Sequence, residues 1–361
     1  MATVTSAGVS LAPGGELSAQ AEAVTESARA VPMLGADVAA TLEWAVGVGR
    51  EAASVGAGDT RGVWELLASV ACLDVSAARI LEPHLDALSI LRQAGTDLSR
   101  QDDPWQVAQV GADADSSWGV FAAESADARL QAHRTSAGWV LRGTKPWCSL
   151  AGNVSHALVT AFVDDTERRL FAVNMRGPGV QPHRDEWFAR GLPHVVSSPV
   201  DFVDAVAVPV GDEGWYLSRP GFSWGGMSVA ACWWGAACGI ARTLSAPAAS
   251  PRADQVALVH LGTVDAALWA ARATLAEAAD MVDGRRALEG GERLLAERVR
   301  TVVSGAAALT LTEADAALGP APLVMDREHA RRVSDLHLYL RQHHGLRDAA
   351  RIGRLLASAE P

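Results

Sequence analysis

The chain has 361 residues and a formal net charge of −11, from 42 acidic and 31 basic residues. Because 49% of the residues are hydrophobic and 20% are charged, the composition excludes wholesale disorder and predicts a folded protein of about two to three domains. The acidic excess gives no electrostatic reason to approach a phosphate backbone or an anionic membrane, so neither nucleic acid nor a membrane is expected as a partner.

The start of the chain predicts an arm rather than a domain. Residues 1–34 are rich in Ala, Gly, Ser and Pro and lack the basic and apolar regions of a secretory signal. We expect a flexible N-terminal arm over 1–34 and a cytoplasmic protein. Four cysteines without a CxxC pair indicate buried free thiols in a reducing compartment; they are Cys72, Cys148, Cys232 and Cys238.

Helical periodicity begins in the next segment. Apolar residues recur every three or four positions from Trp64 to Ala78 and would share one face of a helix. Asp59 predicts the N-cap of this helix, and Pro83 predicts the start of a second one. We therefore assign residues 35–115 to an N-terminal helical domain.

The pattern changes to short β-type runs in the middle of the chain. Residues 157–163 and 200–208 are examples, and turn signals such as 177–179 separate such runs. This arrangement is typical of hairpins and not of βαβ units. Residues 116–212 are predicted to form an antiparallel β-barrel domain.

The remaining residues, 213–361, predict a C-terminal helical bundle. Gly and Pro clusters separate four candidate helices, near 227–246, 254–284, 291–318 and 327–357. The longest apolar stretch, 227–241, is interrupted by Gly235 and Gly239 and falls short of the roughly 20 residues that a membrane span needs. It predicts a buried central helix.

Three segments carry a resemblance to a known family. They are Trp118-Gly-Val-Phe-Ala-Ala-Glu-Ser125, Gly143-Thr-Lys-Pro-Trp-Cys-Ser149, and Ser198-Pro-Val-Asp-Phe-Val-Asp-Ala-Val-Ala-Val-Pro209. In this order they resemble the β-domain of the acyl-CoA dehydrogenase family, with its Thr-Glu-Pro loop beside the flavin, its Gly-Lys-x-Trp-Ile-Thr strand and its Phe-x-x-Val-x-Val-Pro exit strand. The resemblance covers about residues 100–357.

The resemblance implies an α+β fold with an N-terminal helical domain, a middle β-barrel and a C-terminal helical bundle, and it implies FAD as the cofactor. Trp147 would offer a flat face to the isoalloxazine, and Ser149 a hydroxyl to its edge. From the residues alone, a barrel-core tryptophan is the favoured interpretation of Trp147, and an exposed capped turn would explain Glu124 with Ser125. The resemblance places six residues at the flavin: Phe121, Glu124, Ser125, Trp147, Cys148 and Ser149.

The C-terminal half departs from the family pattern in two places. The Arg-x-x-Phe-Gly segment that reaches the FAD pyrophosphate of a neighbouring subunit is not visible around 250–254. The stretch from Asp335 to Asp348, where the family usually carries its catalytic carboxylate in a Glu-Gly segment, contains no Glu. The usual base for the substrate α-proton is therefore missing.

Histidine is a candidate replacement for that base. A neutral imidazole with a pKa near ~6.5 can accept a proton, and His344 with Asp348 has the i, i+4 spacing that would orient the ring on a helix. His343 and His344 could instead belong to a solvated or subunit-facing polar surface. No HExxH or ExxH spacing accompanies these histidines, so no metal is expected.

The sequence thus predicts an FAD-dependent oxidoreductase, similar to acyl-CoA dehydrogenases, that acts on the CH–CH group of a small-molecule acyl thioester such as an acyl-CoA. Two other hypotheses stay open: a flavin-dependent monooxygenase on the same scaffold, and a non-catalytic binding or assembly relative. The resemblance also implies a homodimer or homotetramer. The sequence leaves open the identity of the substrate and of the electron acceptor.

Overall fold

The computed structural model describes residues 8–96, 105–183, 186–249, 254–284 and 291–358. Four helices come first: α1 (Ala19–Ala30), α2 (Val38–Glu51), α3 (Thr60–Leu73) and α4 (Val75–Gln93). Seven strands follow: β1 (Trp118–Phe121), β2 (Leu130–Thr135), β3 (Gly138–Lys145), β4 (His156–Phe162), β5 (Arg168–Asn174), β6 (Val180–Pro182) and β7 (Val200–Val210). The chain ends in helices α5 (Trp215–Ser218), α6 (Pro220–Ala248), α7 (Gln255–Asp283), α8 (Gly291–Leu318), α9 (Ala321–Met325), α10 (Arg327–Tyr339) and α11 (Leu346–Ser358). The predicted order of helices, barrel and helices is confirmed.

The N-terminal segment is not the flexible arm predicted for 1–34. Residues 1–7 lie outside the described residues, but Val9 and Leu11 are fully buried, and α1 occupies much of the rest. The buried carboxylate of Glu65 on α3 accepts hydrogen bonds from the backbone N–H groups of Leu11, at 2.8 Å, and Ser18, at 3.0 Å. Small residues that suggested disorder instead allow this segment to pack closely.

Helix α4 begins earlier than the sequence predicted. Asp74 caps it by accepting a hydrogen bond from the backbone N–H of Ala77 at 2.8 Å. Pro83 lies inside α4, so the prediction that it starts a helix is wrong. The capping side chain of Asp74 decides where the helix starts. The helix tolerates the loss of one backbone hydrogen bond, because Pro83 has no N–H to donate. The predicted cap at Asp59 is confirmed, since its carboxylate accepts from the backbone N–H of Gly62.

The sheet closes into a barrel. Strands β4, β2, β3, β7 and β5 form a ring that returns to β4, while β1 adds to β4 and β6 adds to β7. The barrel is mixed and not purely antiparallel as predicted, because β4 runs parallel to β1 and to β2. The long crossover from β1 to β4, which contains the β2–β3 hairpin, permits this parallel pairing.

The predicted central helix is α6, which packs against α3, α7 and α8. Trp233 and Trp234 on α6 are buried, and Gly235 allows the backbone of α3 to approach closely. A Cβ added at Gly235 would lie 2.0 Å from the carbonyl oxygen of Ala68. All four cysteines are free and buried, as expected from the sequence.

The approach of α3 to α6 gives a stability prediction. We expect Gly235→Ala to lower the free energy of unfolding by about 1–3 kcal/mol, because backbone atoms must move to admit the methyl group. Urea denaturation of the wild type and variant would measure this loss. Gly262→Ala on α7 is the matched control, because a Cβ there meets nothing within 4 Å, and it should be neutral or stabilising by up to about 1 kcal/mol. Equal losses for both variants would contradict the packing argument.

The last predicted helix, 327–357, is two helices in the structure. His343 has extended backbone angles, and Gly345 has a φ of 56°. This left-handed conformation favours Gly and ends helical geometry between α10 and α11. The break lies among the residues proposed to accept a proton.

One described helix, α7, is long and apolar enough to cross a membrane by length and composition alone, and 22% of its most apolar 18-residue window is buried. A single such helix is weak evidence for a membrane span, because a helix that packs through one face passes the same test. Helix α7 packs on α6 and α8 and exposes four large apolar side chains: Val256, Leu258, Val259 and Trp269.

Candidate active site

The turn after β3 presents an indole ring to solvent. Trp147 has a φ of 58° and Leu150 a φ of 60°, a left-handed conformation that is uncommon for such bulky residues. Two backbone hydrogen bonds hold the turn: Cys148 N–H donates to Ser198 O at 3.1 Å, and Leu150 N–H donates to Val196 O at 2.6 Å. The Trp147 residue is 62% exposed. Strained positions of this kind persist where the surrounding structure enforces them, often at ligand sites.

The two residues after Trp147 are engaged by the protein. The Ser149 hydroxyl accepts a hydrogen bond from Arg79 Nη2 at 3.0 Å and lies 2.8 Å from Ser197 Oγ. The Cys148 thiol donates to Lys145 O at 3.3 Å, and burial raises the pKa of this thiol. Cys148 therefore packs into the barrel, while Ser149 links the turn to α4.

The first motif segment meets the second through Lys145. The buried ammonium of Lys145 donates to Glu124 Oε1 at 2.6 Å and to Thr160 Oγ1 at 2.9 Å. Arg168 also contacts Glu124, at 3.3 Å. The carboxylate of Glu124 is thus paired with two barrel cations. This role of Lys145 was not predicted from its place in the motif.

The other two residues predicted at the flavin separate in the structure. Phe121 ends β1 and is buried in the main core. Ser125 is exposed and forms an isolated bridge with Ala128. Only Ser125 of this pair presents its side chain outward.

The C-terminal histidines surround the carboxylate of Asp348, which is buried. His343 Nε2 lies 3.4 Å from Asp348 Oδ2, whereas His344 Nδ1 lies 3.7 Å from Oδ1 and its side chain is 59% exposed. Asp348 instead accepts from the backbone N–H of His344 at 2.9 Å and pairs with Arg351. The structure therefore places His343, not His344, closer to the carboxylate, and burial lowers the pKa of the His343 imidazole.

Asp348 has a structural role that can be measured. We expect Asp348→Ala to lower the free energy of unfolding by about 1–2 kcal/mol, because the backbone N–H of His344 loses its acceptor and the guanidinium of Arg351 keeps only its pair with Glu297. Asp348→Asn should lose less, since the amide oxygen can still accept from His344. Urea titration of both variants would measure the order, and equal stability of all three proteins would contradict it.

The other carboxylates from 326 to 335 are also held by the protein. Asp326 caps α10 by accepting from the backbone N–H groups of Glu328 and His329, and Glu328 pairs with Arg332 at 2.6 Å. Asp335 is fully buried and accepts from the backbone N–H of Leu192 at 2.5 Å. Over 326–348, each carboxylate thus already has a structural partner.

A polar face on α4 was missed from the sequence. Its residues lie three or four apart on a helix that is otherwise largely apolar. The set is Arg79, Glu82, Asp86, Ser89 and Gln93. Arg79 Nη1 lies 3.5 Å from Glu82 Oε2, and the Arg79 guanidinium lies 5.6 Å from the centre of the Tyr339 ring. Burial raises the pKa of Glu82 to about 7. Charged residues at helical spacing in an apolar helix were the available signal.

Two cavities lie against this face. The outer one has a volume of about 640 Å³ and is lined by Arg92, Trp215 and Arg219 among others. The inner one has a volume of about 20 Å³ and is lined by both Glu82 and Asp86. The cavities share four lining residues, which places one behind the other: Val55, Gln93, Gly221 and Trp224.

Known structures share this architecture. The butyryl-CoA dehydrogenase of Megasphaera elsdenii superposes with a TM-score of 0.77 at 17% sequence identity, over 95% of this chain and 99% of that one. The chain has the acyl-CoA dehydrogenase fold. This confirms the resemblance on which the sequence interpretation rests, at the level of the fold.

The acyl-CoA dehydrogenase fold is shared by two further structures. A nitrososynthase from Micromonospora carbonacea var. africana has a TM-score of 0.74 at 18% identity over 100% of both chains. FMN-bound TdsC from Paenibacillus sp. A11-2, a dibenzothiophene monooxygenase, has a TM-score of 0.71 at 18% identity over 95% of both chains. No family model and no curated protein sequence matches the chain.

Two further sequence expectations concern the pyrophosphate segment and metal binding. Residues 250–253, where the family's pyrophosphate arginine was sought, lie outside the described residues. Among the residues that are described, no group of three or more His, Cys, Asp or Glu side chains is placed to hold a metal ion.

Proposed function

We propose that the protein is a flavin-dependent oxidoreductase that binds FAD with the isoalloxazine against Trp147. The exposed indole in a strained, locked turn carries this proposal, since a flat aromatic face that is held outward suits stacking with a flat ring system. The shared fold with FMN-bound TdsC supports it. A bound flavin supplies the two-electron acceptor for oxidation of the substrate.

The neighbouring residues fit this role unequally. Ser149 is already bonded to Arg79 and Ser197, so we propose that it positions the turn and that backbone groups meet the flavin edge. Glu124, bound by Lys145, would fix the first motif segment beside the turn. Phe121 and Cys148 support the turn from the core, and Ser125 stays available for a contact through its exposed hydroxyl.

The substrate class that we propose is an acyl thioester, such as an acyl-CoA, or a related small carbonyl compound. Its oxidation at the CH–CH group releases a proton as well as a hydride, and the proton needs an acceptor. His343 and His344, with Asp348, are the candidates in the C-terminal segment. Replacing each histidine by Gln would test them, and unchanged turnover for both variants would exclude this pair.

A flavin-dependent monooxygenase is the second candidate. It is favoured by the structural engagement of every carboxylate over 326–348, which leaves none of them free to act as the usual base, and by the fold shared with the dibenzothiophene monooxygenase. Oxygen consumption by the protein with reduced FMN or FAD, with and without substrate, would separate this reaction from dehydrogenation under anaerobic conditions.

The visible absorption spectrum of the purified protein tests the cofactor. The protein should be measured before and after incubation with excess FAD, and separately FMN, followed by removal of unbound flavin. Bands of oxidised flavin that remain with the protein are expected, more strongly with FAD. A flat spectrum in every sample would contradict the proposal and favour a non-catalytic relative of the fold.

We also propose that the chain forms a homodimer or homotetramer through the outer face of α7. The exposed apolar residues Val259 and Trp269 support an interface, because water-exposed apolar patches of this kind are usually covered by a partner. Light scattering of the eluting protein would give the mass. A monomer at micromolar concentration would contradict the proposal.

A further inference from the structure

We propose that Glu82 on α4 exchanges a proton with the bound substrate and that Asp86 relays this proton to the outer cavity. This inference rests on the proposed function for the reaction that it serves. It assigns the acid–base role to the interior of the molecule, away from the C-terminal segment where the sequence pointed.

The position of Glu82 connects the cavity with the Trp147 turn. Arg79 contacts Glu82 at 3.5 Å and Ser149 at 3.0 Å. The Arg79 guanidinium therefore links the Ser149 hydroxyl in the turn to the Glu82 carboxyl. Glu82 is 6% exposed, and its one described hydrogen bond is this long contact with Arg79. The carboxyl thus keeps acceptor capacity for a substrate atom that approaches from the side of the Trp147 turn and for a water molecule in the inner cavity.

The inner cavity is large enough for one water molecule between two carboxyls. A site needs roughly 10–15 Å³ and several polar partners to hold a water, and the cavity offers about 20 Å³ lined by Glu82, Asp86, Ser89 and Ser228. Asp86 lies one helical turn beyond Glu82 on the same face. A proton can therefore pass from Glu82 through water to Asp86 toward the outer cavity.

Arg219 supplies an independent sign that the outer cavity receives a ligand. This residue is 7% exposed and lines the cavity. Its Nη1 donates to Gln93 at 2.7 Å, but its buried Nε has no hydrogen-bond partner among the described residues. The indole N–H of Trp224, which lines both cavities, is likewise unpartnered in the described part of the chain. Buried donors without acceptors are costly, and a polar ligand would satisfy them.

The charges around Glu82 leave it able to gain and lose a proton near neutral pH. Burial is the largest cause of its raised pKa, Arg79 and Arg300 act to lower it, and the like charge of Asp86 acts to raise it. Arg79 and Asp86 lie on α4 itself, and Arg300 lies on α8. Other titratable neighbours come from further elements: Tyr216 on α5, Cys232 on α6 and Tyr339 on α10.

The proton step balances without a further reagent. In dehydrogenation of an acyl thioester, the Cα–H bond breaks, an O–H bond forms on the Glu82 carboxylate, and the electron pair left on Cα becomes part of the new C=C bond. A bound flavin would be the oxidant and would accept the hydride from Cβ. The proton on Glu82 then moves to Asp86 and to solvent.

Infrared difference spectroscopy tests Glu82 without any substrate. Spectra of the wild type, Glu82→Gln and Asp86→Asn should be recorded between pH 5 and 8, in H₂O and after transfer to D₂O. We expect a protonated-carboxyl band that titrates near pH 7 and is absent in Glu82→Gln. Its shift in D₂O should slow at least tenfold in Asp86→Asn, because the relay is interrupted. A carboxyl that is ionised throughout, or exchange unaffected by Asp86→Asn, would overturn the inference.

Flavin reduction by butyryl-CoA, followed anaerobically, separates this inference from the proposed function. We expect Glu82→Gln to retain flavin but to be reduced about 100-fold more slowly, and to lose the pH dependence near 7. Glu328→Gln, which replaces an exposed carboxylate paired with Arg332, should retain both rate and pH dependence. Reduction of Glu82→Gln at the wild-type rate would overturn the inference alone. A wild type that binds flavin but is not reduced would overturn the acyl-thioester proposal, and the infrared result would then decide the role of Glu82.

Discussion

Trp147→Ala is expected to raise the Kd for FAD by on the order of 10- to 100-fold. The change removes an indole that the turn holds 62% exposed, and with it the stacking area proposed for the isoalloxazine. Loss of such an aromatic contact is worth about 1.5–3 kcal/mol. Titration of the apoprotein with FAD, followed by quenching of flavin fluorescence, would measure the Kd of the wild type and the variant.

Two further variants control for the fold and for the position of the indole. Trp147→Phe keeps a flat ring and should lose less affinity than Trp147→Ala. Trp44→Ala removes a tryptophan on α2 whose N–H donates to Ser27, and FAD affinity should not change. Equal affinity of Trp147→Ala and the wild type would show that the flavin, if it binds, does so elsewhere.

The barrel could be predicted because its signals are local. Short β-type runs at 157–163 and 200–208 correspond to β4 and β7, and the Gly-Thr-Lys-Pro-Trp-Cys-Ser segment ends a strand in a turn that exposes Trp147. The parallel pairing of β4 with β1 and β2 was not predictable from these runs, because strand direction depends on how a long crossover returns to the sheet.

The side chains of His344 and Asp348 lie 3.7 Å apart, a looser contact than the predicted helical pair, and the reason is geometric. The i, i+4 rule applies to residues within one helix, whereas α11 begins at Leu346 and Gly345 breaks the backbone before it. His344 therefore lies outside the helix, and its ring turns to solvent. Only the backbone N–H of His344 reaches Asp348 within hydrogen-bond distance.

The burial of the polar face of α4 could not be predicted from the sequence for a different reason. The spacing of Glu82 and Asp86 places both side chains on one helix face but does not show whether that face is buried. A polar helix face is usually exposed to solvent. Their burial depends on α6, which brings Trp224 and Gly225 against α4. A Cβ at Gly225 would lie 3.0 Å from Asp86 Oδ1. Contacts from α6, which is distant from α4 in the sequence, decide what the local pattern leaves open.

Between pH 5 and pH 8, the free energy of unfolding of Glu82→Gln is expected to rise by about 2–3 kcal/mol relative to that of the wild type. In the folded wild type the pKa of Glu82 is raised from 4.5 to about 7, so the folded state binds more protons than the unfolded state between these values. The free energy of unfolding is therefore highest below pH 4.5 and falls as pH rises through 7. A Gln cannot ionise, and the variant avoids this loss.

His84 opposes this effect in the wild type. Burial lowers its pKa from 6.5 to about 4, so the unfolded state binds more protons in that range and stability falls as pH drops through it. The contributions of these two residues nearly cancel between about pH 4.5 and 6.5. Urea midpoints at pH 5, 6.5 and 8 should rise more, or fall less, with pH in Glu82→Gln than in the wild type. Parallel curves for the two proteins would mean that Glu82 ionises as it does in water. Glu82 would then not lower the stability at neutral pH, and its position would need no functional explanation.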